Sequence, residues 1–277
     1  MKRLAIVVSA LVTWSTAPAG AETTACTEIL ALPVTLNVSG IYCLKSHLST
    51  GKIVGNIIRI TRDNIVLDLN GFRLFGNKRV ASLATGVYAL DRKNIVIRNG
   101  TIEGFYRGIH LDDDTGRSAN HLVENIRAID NGFAGIQVEG ENLVVRNNQV
   151  METGPNDDTF TANGIFLQSF KNARVSGNTV SDTSETTTAR GIFAITGSEI
   201  VIEKNVVTDT NTATATYAIH VQSVNRASII NNQLLNQISA TTGIRAVSST
   251  GISCINNVID SFNITHSTCN TIVGTQP

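Results

Sequence analysis

The sequence predicts an all-β fold, a single-stranded parallel β-helix (solenoid) with disulfide-bonded end caps. Three observations predict it: a motif that recurs every 22 to 29 residues, an apolar alternation of period two inside each repeat, and cysteines grouped at the two ends. Aromatic residues make up only 5% of the 277 residues, and the chain has 4 prolines. The repeats contain no convincing amphipathic helical pattern, so short strands and frequent turns are expected.

The first motif is a small residue followed by an aliphatic one. Its copies are separated by 22, 27, 29, 27, 27 and 25 residues: Gly86-Val87, Gly108-Ile109, Gly135-Ile136, Gly164-Ile165, Gly191-Ile192, Ala218-Ile219 and Gly243-Ile244. A second motif, aliphatic-x-aliphatic-x-x-Asn-x-aliphatic, follows most copies. Strands of three to five residues are expected, and one repeat cannot bury its own apolar side, so successive repeats must stack. A leucine-rich horseshoe is excluded because its Leu-x-x-Leu-x-Leu signature is absent.

The asparagine of the second motif recurs once in each repeat. Asparagine tolerates the left-handed conformation at sharp turns, its amide can bond backbone groups there, and stacked amides can pair along a solenoid axis. We therefore expect each of these residues to turn the chain and to form one structural column: Asn148, Asn178, Asn205, Asn232 and Asn257.

The chain divides into four predicted segments. Residues 1–21 have the positive start, the short apolar stretch and the small-residue cleavage site of a signal peptide, which favours a secreted or periplasmic protein over a membrane-anchored one. Residues 22–51 are the predicted N-terminal cap, residues 52–262 the β-helix, and residues 263–277 a C-terminal cap or tail that folds back over the open end. No later stretch is long and apolar enough to span a membrane.

The four cysteines permit three disulfide connectivities, which the sequence alone does not choose between. Local pairing is the simplest, Cys26 with Cys43 and Cys254 with Cys269. A metal site is the alternative, but the chain has no Cys-x-x-Cys spacing. An exported chain favours disulfides.

The charge balance limits the partners. The chain has 22 basic and 22 acidic residues, and removal of Lys2 and Arg3 with the signal peptide leaves a net charge of about −2. Nucleic-acid binding, which usually requires a basic face, is therefore not expected. Capped ends favour a monomer, since open solenoid ends promote association.

The residue after each buried aliphatic should point outward, because side chains alternate along a strand. We call these residues the outward row: Tyr88, His110, Gln137, Phe166, Phe193, His220 and Arg245. Aromatic rings, guanidinium groups and amides favour a face that binds an extended polysaccharide. The alternative is a solvated structural face. The predicted substrate-binding residues are Tyr88, Gln137, Asn163, Phe166, Gln168, Arg190, Phe193 and His220.

Two insertions, Asp112 to Ser118 and Gly154 to Phe160, interrupt the regular repeat. Loops on a rigid scaffold often carry function. The first lies beside the predicted catalytic residues Arg107, His110, Asp112 and Glu139.

Three kinds of chemistry fit these predicted catalytic residues. The alternative for the aspartate run is a solvated loop without a function. In a lyase or epimerase, Arg107 would neutralise a uronic-acid carboxylate while His110 or Tyr88 removes a proton. In a glycoside hydrolase, Asp112 and Glu139 would form the carboxylate pair. Calcium is a further possibility, with ligands in the aspartate run Asp112, Asp113 and Asp114.

The repeat Ile-x-Val/Ile-x-x-Asn-x-Val with Gly-Ile-x-Val between copies, from Ile53 to Asn263, resembles the right-handed parallel β-helix of the pectate-lyase-like superfamily. It is especially similar to exported bacterial proteins with NosD-type repeats. The Gly-His-Gly and Arg-Ile-Lys elements of polygalacturonases are absent, as are the Arg-containing signature of classical pectate lyases and the Asp-Pro-His-Asp element of alginate epimerases. The resemblance therefore implies the fold and assigns no catalytic residue.

Three hypotheses about function remain open. The first is an enzyme acting on polysaccharides: a lyase, epimerase or hydrolase. The second is a non-catalytic carbohydrate-binding or surface protein. The third is a periplasmic accessory protein in metal-centre maturation, as the NosD-type resemblance implies, although the chain lacks a methionine- or histidine-rich tract.

Overall fold

The structure is a computed structural model. It describes residues 25–77, 82–155, 160–212, 214–267 and 269–274, except for the side chains of 237–241 and 265–267. The predicted signal peptide, residues 1–21, lies outside the described residues, as do residues 156–159 of the second insertion.

The described chain is a parallel β-solenoid of about 8 turns, with no helix in it. One sheet contains 22 strands and a second contains two, β16 and β19. The strands are β1 Thr27–Glu28, β2 Val34–Leu36, β3 Gly40–Cys43, β4 Leu48–Ser49, β5 Asn56–Ile60, β6 Ile65–Asp68, β7 Arg73–Phe75, β8 Thr85–Leu90, β9 Ile95–Glu103, β10 Arg107–Asp112, β11 Leu122–Ile129, β12 Ala134–Arg146, β13 Gln149–Met151, β14 Thr161–Ser176, β15 Thr179–Ser181, β16 Ser184–Glu185, β17 Thr188–Glu203, β18 Val206–Thr208, β19 Asn211–Thr212, β20 Ala215–Ile230, β21 Gln233–Val247, β22 Thr250–Ile255, β23 Val258–Ser267 and β24 Thr271–Val273.

Several strands are much longer than the three to five residues that the sequence predicted. β14, β17 and β20 each have 16 residues and pass around a corner of the coil without losing their pairing. Each of these strands contains two residues with a positive φ: Ser169 (49°) and Asn172 (57°), Thr196 (55°) and Glu199 (60°), and Ser223 (53°) and Arg226 (64°). Each left-handed residue bends the strand, and the hydrogen-bonded ladder continues on both sides.

The coils stack in the predicted register. Ile136 pairs with Ile165, Ile165 with Ile192, and Ile192 with Ile219, and all four side chains are fully buried. Burial of one aliphatic column from each repeat supplies the hydrophobic driving force that a single repeat lacks.

The small residue before each aliphatic is required for space. A Cβ on Gly135 would lie 2.4 Å from the Val150 Cγ1 atom, and one on Gly191 would lie 2.3 Å from Val207 Cγ1 and 2.7 Å from the Ala218 carbonyl oxygen. These glycines point into the interior, so a larger residue would collide with the core or with the next coil.

The predicted asparagine column is present, and its amides run along the interior. Asn148, Asn178, Asn205 and Asn232 each donate from Nδ2 to the next column member at 2.9 to 3.0 Å. The expectation that these residues turn the chain is wrong. The left-handed residue is the one before each, for example Asn147 (φ 54°) and Asn231 (φ 53°). Their side chains instead bind backbone groups that the corner leaves without a ladder partner.

A second asparagine ladder runs along the surface and was not predicted. Its members are left-handed, with φ between 53° and 59°: Asn64, Asn94, Asn120, Asn142 and Asn172. The Nδ2 atom of each member after Asn64 donates to Oδ1 of the preceding member at 2.7 to 3.0 Å. This is the column in which asparagine turns the chain.

Both ends have the predicted disulfides, Cys26–Cys43 and Cys254–Cys269. The segment after residue 262 continues the stacking, because β23 pairs with β21 and β24 pairs with β22, both in parallel. The C-terminal disulfide therefore joins the buried Cys254 to a segment of the last, incomplete coil.

Candidate functional site

The outward row is aligned in the structure. His110 pairs with Tyr88 and Gln137, and pairing continues through Phe166, Phe193 and His220 to Arg245. The row also extends one coil earlier, since Arg59 pairs with Tyr88. Sequence reasoning missed Arg59 because its repeat has Ile57-Ile58 where the next coil has Gly86-Val87. The alternation Ile58-Arg59-Ile60 was the available signal.

The middle of the row is an aromatic stack. The ring centroids of Phe166 and Phe193 are 5.1 Å apart, those of Phe193 and His220 are 4.9 Å apart, and both phenylalanines are only 6% exposed. Rings from adjacent coils stack on the faces of Phe166 and Phe193. The expectation that sugars stack on these two rings therefore does not fit, and the polar residues beside them, such as Gln168, are the groups left to contact a ligand.

Three predicted catalytic side chains converge where β10 meets β12. His110 Nε2 lies 3.4 Å from Glu139 Oε1 and 3.6 Å from Asp112 Oδ1, and one ligand atom from each residue lies within 4.8 Å of the others. Strand pairing places them, because His110 and Asp112 are alternate residues of one coil and Glu139 occupies the next. We call these three residues the acidic centre.

Neighbouring side chains fix the two carboxylates. The Tyr88 hydroxyl donates to Asp112 Oδ2 at 3.0 Å, and Gln137 Nε2 donates to Glu139 Oε1 at 2.8 Å. Gln137 in turn accepts from Arg107 Nε at 2.8 Å. Such orientation by hydrogen-bonded neighbours is typical of sites that must hold a defined geometry.

The pKa values of the two side chains that flank the acidic centre, Tyr88 and Arg107, shift in opposite directions. Burial raises the pKa of the Tyr88 hydroxyl well above its usual value, and its hydrogen bond to Asp112 adds to the shift. Tyr88 therefore remains protonated and acts as a donor. Burial lowers the pKa of the Arg107 guanidinium, while nearby groups that include Asp112 and Glu139 oppose that effect. Arg107 also lies over the ring of Phe133, at 4.7 Å from its centroid.

The aspartate run does not converge on one point. Asp113 Oδ1 accepts from the backbone N–H groups of Arg117 and Ser118, at 2.9 and 3.1 Å, and so closes its own loop. The backbone of Asp114 donates to Asp91 Oδ1 at 3.0 Å. Only Asp112 of the run belongs to the group of described residues that could hold a metal ion.

The acidic centre has the donor atoms of a metal site. Bonds of about 2.1 Å to zinc in a tetrahedral arrangement place ligand atoms about 3.4 Å apart. The two separations from His110 Nε2, 3.4 and 3.6 Å, match that spacing. Calcium prefers six to eight oxygen ligands, so an imidazole with two carboxylates fits a transition metal better.

An open groove continues from the acidic centre toward the N-terminal coils. It has a volume of about 240 Å³ and is lined by Arg59, Ile60, Thr61, Tyr88, Leu90, Asp91 and Arg92. Arg92 Nε is bound to the Leu90 carbonyl oxygen at 2.7 Å. The groove thus carries two guanidinium groups immediately beside Tyr88.

A second group of predicted binding residues lies two to four coils away. Asn163 Oδ1 accepts from Arg190 Nη1 at 3.3 Å, and Arg190 Nε donates to His220 Nδ1 at 3.1 Å. The structure therefore divides the predicted site into two clusters on one face, the acidic centre and a basic cluster around His220.

Two features bear on where the protein works. Its two disulfides are typical of an oxidising compartment outside the cytoplasm. Among the residues that the structure describes, no helix has the length and apolar character to cross a bilayer.

Comparison with known proteins gives distant relatives of the same fold. None of the curated proteins matches the chain. The Dettilon tailspike protein is 14% identical with a TM-score of 0.58, and the match covers 90% of this chain and 55% of the tailspike. This chain thus spans about half the length of that protein.

Two further structures have a TM-score of 0.52. A double mutant of the periplasmic alginate epimerase AlgG is 10% identical, with 85% of this chain and 73% of that chain covered. A DFA-IIIase from Arthrobacter chlorophenolicus A6 is 11% identical, with 85% and 65% covered. At these identities the likeness shows the fold alone.

A family match defines the chain more directly. The family described as a right-handed β-helix region matches residues 39–207, which is more than half of the sequence. That hand agrees with the general rule that parallel β-strand crossovers are right-handed. This chain belongs to the right-handed β-helix family.

Proposed function

We propose that this protein is exported, binds an extended acidic polysaccharide lengthwise along the outward row, and cleaves it at the acidic centre. The observation that carries the proposal is the convergence of His110, Asp112 and Glu139 from two adjacent coils. Coils repeat about every 4.8 Å along the axis, so the row offers a linear polymer regularly spaced contacts.

Hydrolysis is the reaction that the geometry supports best. Carboxyl groups in retaining glycosidases are roughly 5 to 5.5 Å apart. The ligand oxygens of Asp112 and Glu139 lie within 4.8 Å of each other. Asp112, with a side chain 20% exposed, is suited to attack the anomeric carbon. Glu139 is suited to protonate the leaving oxygen, and water would then release the sugar from Asp112.

Elimination or epimerisation is the second candidate, and Arg107 favours it. Its guanidinium group lies beside the acidic centre, where it can neutralise a uronic-acid carboxylate and make the adjacent C–H more acidic. His110 would then accept the proton, and Tyr88, which stays protonated, would donate one to the leaving oxygen or to the opposite face of the carbanion. The structural relative named as a periplasmic alginate epimerase supports a polysaccharide ligand.

The test is a panel of polygalacturonate, alginate and neutral dextran. New reducing ends without ultraviolet absorbance indicate hydrolysis, unsaturated ends indicate elimination, and altered NMR spectra without cleavage indicate epimerisation. His110→Ala, Asp112→Asn and Glu139→Gln should each lower turnover at least about 100-fold. Arg127→Ala is the control, because Arg127 is exposed on a different side of the coil.

Two outcomes would contradict the proposal. If gels containing a polymer retard the protein but none of the polymers is turned over, the protein is a non-catalytic binding protein. Activity that survives both His110→Ala and Arg107→Ala would place the reaction elsewhere on the molecule.

A further inference from the structure

The basic cluster on the outward face is distinct from the acidic centre. It contains Arg190, Tyr217, His220 and Arg245, which are brought together by three successive coils. His220 stands opposite Phe193 in one neighbouring coil and Arg245 in the other, while Arg190 pairs with Tyr217.

The two guanidinium groups of this cluster lack an acidic counter-charge. Among the described residues, neither Arg190 nor Arg245 forms an ion pair with a carboxylate. Arg190 instead donates to His220 and Asn163, and Arg245 donates to the Tyr217 hydroxyl. Burial, with repulsion from Arg245, lowers the pKa of Arg190 to about 10, against stabilisation from Tyr217. Half-buried positive charges without anions are costly unless a ligand supplies the anion.

His220 adds a hydrogen-bond donor to the same cluster. Its Nδ1 accepts from Arg190 Nε, so the ring proton lies on Nε2. The Nε2 atom is buried, in a residue that is only 3% exposed, and it has no hydrogen-bond partner within the part of the chain that the structure describes. Burial and the two arginines lower the pKa of His220 to about 3, so the imidazole is neutral at ordinary pH.

We propose that Arg190, His220 and Arg245 form a subsite for an anionic substituent, a carboxylate or sulfate group, on a sugar of the bound polymer. The cluster combines the unpartnered Nε2–H of His220 with two guanidinium groups from the adjacent coils. Guanidinium groups recognise such oxyanions in pairs of hydrogen bonds. The tilted ring of Tyr217, 4.8 Å from the His220 ring centroid, forms one wall.

This subsite deepens the proposed function and rests on it. His220 lies four coils beyond His110, which is about 19 Å at one coil per 4.8 Å. An oligosaccharide long enough to reach from the acidic centre to the subsite should gain affinity from it, whereas a dimer bound at the centre should not.

Binding to four polymers tests the subsite. The double variant Arg190→Gln/Arg245→Gln should bind polygalacturonate or carrageenan at least 10-fold more weakly than the wild type, with dextran binding unchanged. Loss with polygalacturonate alone assigns a carboxylate, and loss with carrageenan alone assigns a sulfate. Alginate provides a second carboxylate polymer, and Arg127→Gln is the matched control for a lost surface charge. Equal denaturation midpoints establish that the double variant is folded.

A second readout separates this inference from the proposed function. Galacturonate or galactose sulfate, but not galactose, should shift the Nε2 signal of His220 in 15N NMR spectra of the wild type. If that shift occurs while no polymer is bound or processed, the subsite stands and the proposed function fails. If the double variant keeps the wild-type affinity for every acidic polymer, or neither acidic sugar acts differently from galactose, the subsite is refuted.

Discussion

Replacement of Asn205 by alanine should destabilise the protein more than any substitution in the surface asparagine ladder. Asn205 is fully buried. Its Oδ1 accepts from the backbone N–H of Asn178 at 3.0 Å and from Asn178 Nδ2 at 2.9 Å, while its Nδ2 donates to the Val175 carbonyl at 3.0 Å and to Asn232 Oδ1 at 3.0 Å. Four hydrogen bonds are therefore removed by one substitution.

The expected magnitude follows from the groups left unpaired. Asn178 Nδ2 still donates to a backbone carbonyl, and Asn232 Oδ1 still accepts from the Asn205 backbone N–H. The Asn178 backbone N–H and the Val175 carbonyl lose the side-chain partner that Asn205 provides. At about 1 to 3 kcal/mol for each buried orphan, the free energy of unfolding should fall by about 4 kcal/mol.

Urea denaturation monitored by circular dichroism measures the change, and Asn142→Ala is the control. Asn142 is exposed and left-handed, with φ 53°, so its replacement should cost about 1 kcal/mol from backbone strain and solvated hydrogen bonds. If Asn205→Ala costs no more than Asn142→Ala, the interior amide column is not what satisfies the corner backbone.

Three further predictions concern the metal donors, pH and the C-terminal disulfide. Zn²⁺ or Mn²⁺ should raise the thermal unfolding midpoint of the wild type but not of His110→Ala; equal shifts in both proteins would exclude the acidic centre as the ion's site. Burial lowers the pKa of His121 to about 4. As pH falls, the unfolded chain therefore binds a proton at His121 before the folded chain does. The free energy of unfolding should decline by up to about 3 kcal/mol as pH falls from about 6.5 toward 4. Denaturation measured at each pH should show a smaller decline in His121→Gln. The double variant Cys254→Ala/Cys269→Ala should lose about 3 kcal/mol, as expected for a closed loop of about 15 residues. In reductant, which also opens Cys26–Cys43, the wild type and the variant should have the same denaturation midpoint.

The repeat was readable from the sequence because each coil meets the same physical requirements. An aliphatic residue must fill the interior, a small residue must leave space for the next coil, and an asparagine must provide hydrogen bonds to the unpaired backbone groups at the corner. Gly135, Ile136 and Asn148 each meet one of these needs, and their spacing alone predicted the register that the structure has.

Errors arose where one position had two possible structural roles. Asparagine was expected both to turn the chain and to form the ladder, but the residue before each interior asparagine makes the turn. Strand lengths were underestimated because a single left-handed residue such as Ser169 or Thr196 does not break the ladder. Neither residue type signals a continuous strand, so local propensity could not predict it.

The candidate site was predicted only as a set of outward side chains. Alternation placed His110 and Glu139 on one face, since each directly follows a buried aliphatic residue. Contacts within a loop and between coils decided the rest: Asp113 closes its own loop instead of joining Asp112, and the rings of Phe166 and Phe193 from adjacent coils cover each other.

The sequence by itself determined the solenoid, its register and which side chains point out of the core. These properties depend on periodic burial, which is encoded within each repeat. Only the tertiary structure decided that His110, Asp112 and Glu139 meet and that Arg190 and Arg245 flank His220 without a paired carboxylate in the described chain. Rotamers and packing between residues about 30 positions apart set those distances, and no repeat contains that information alone.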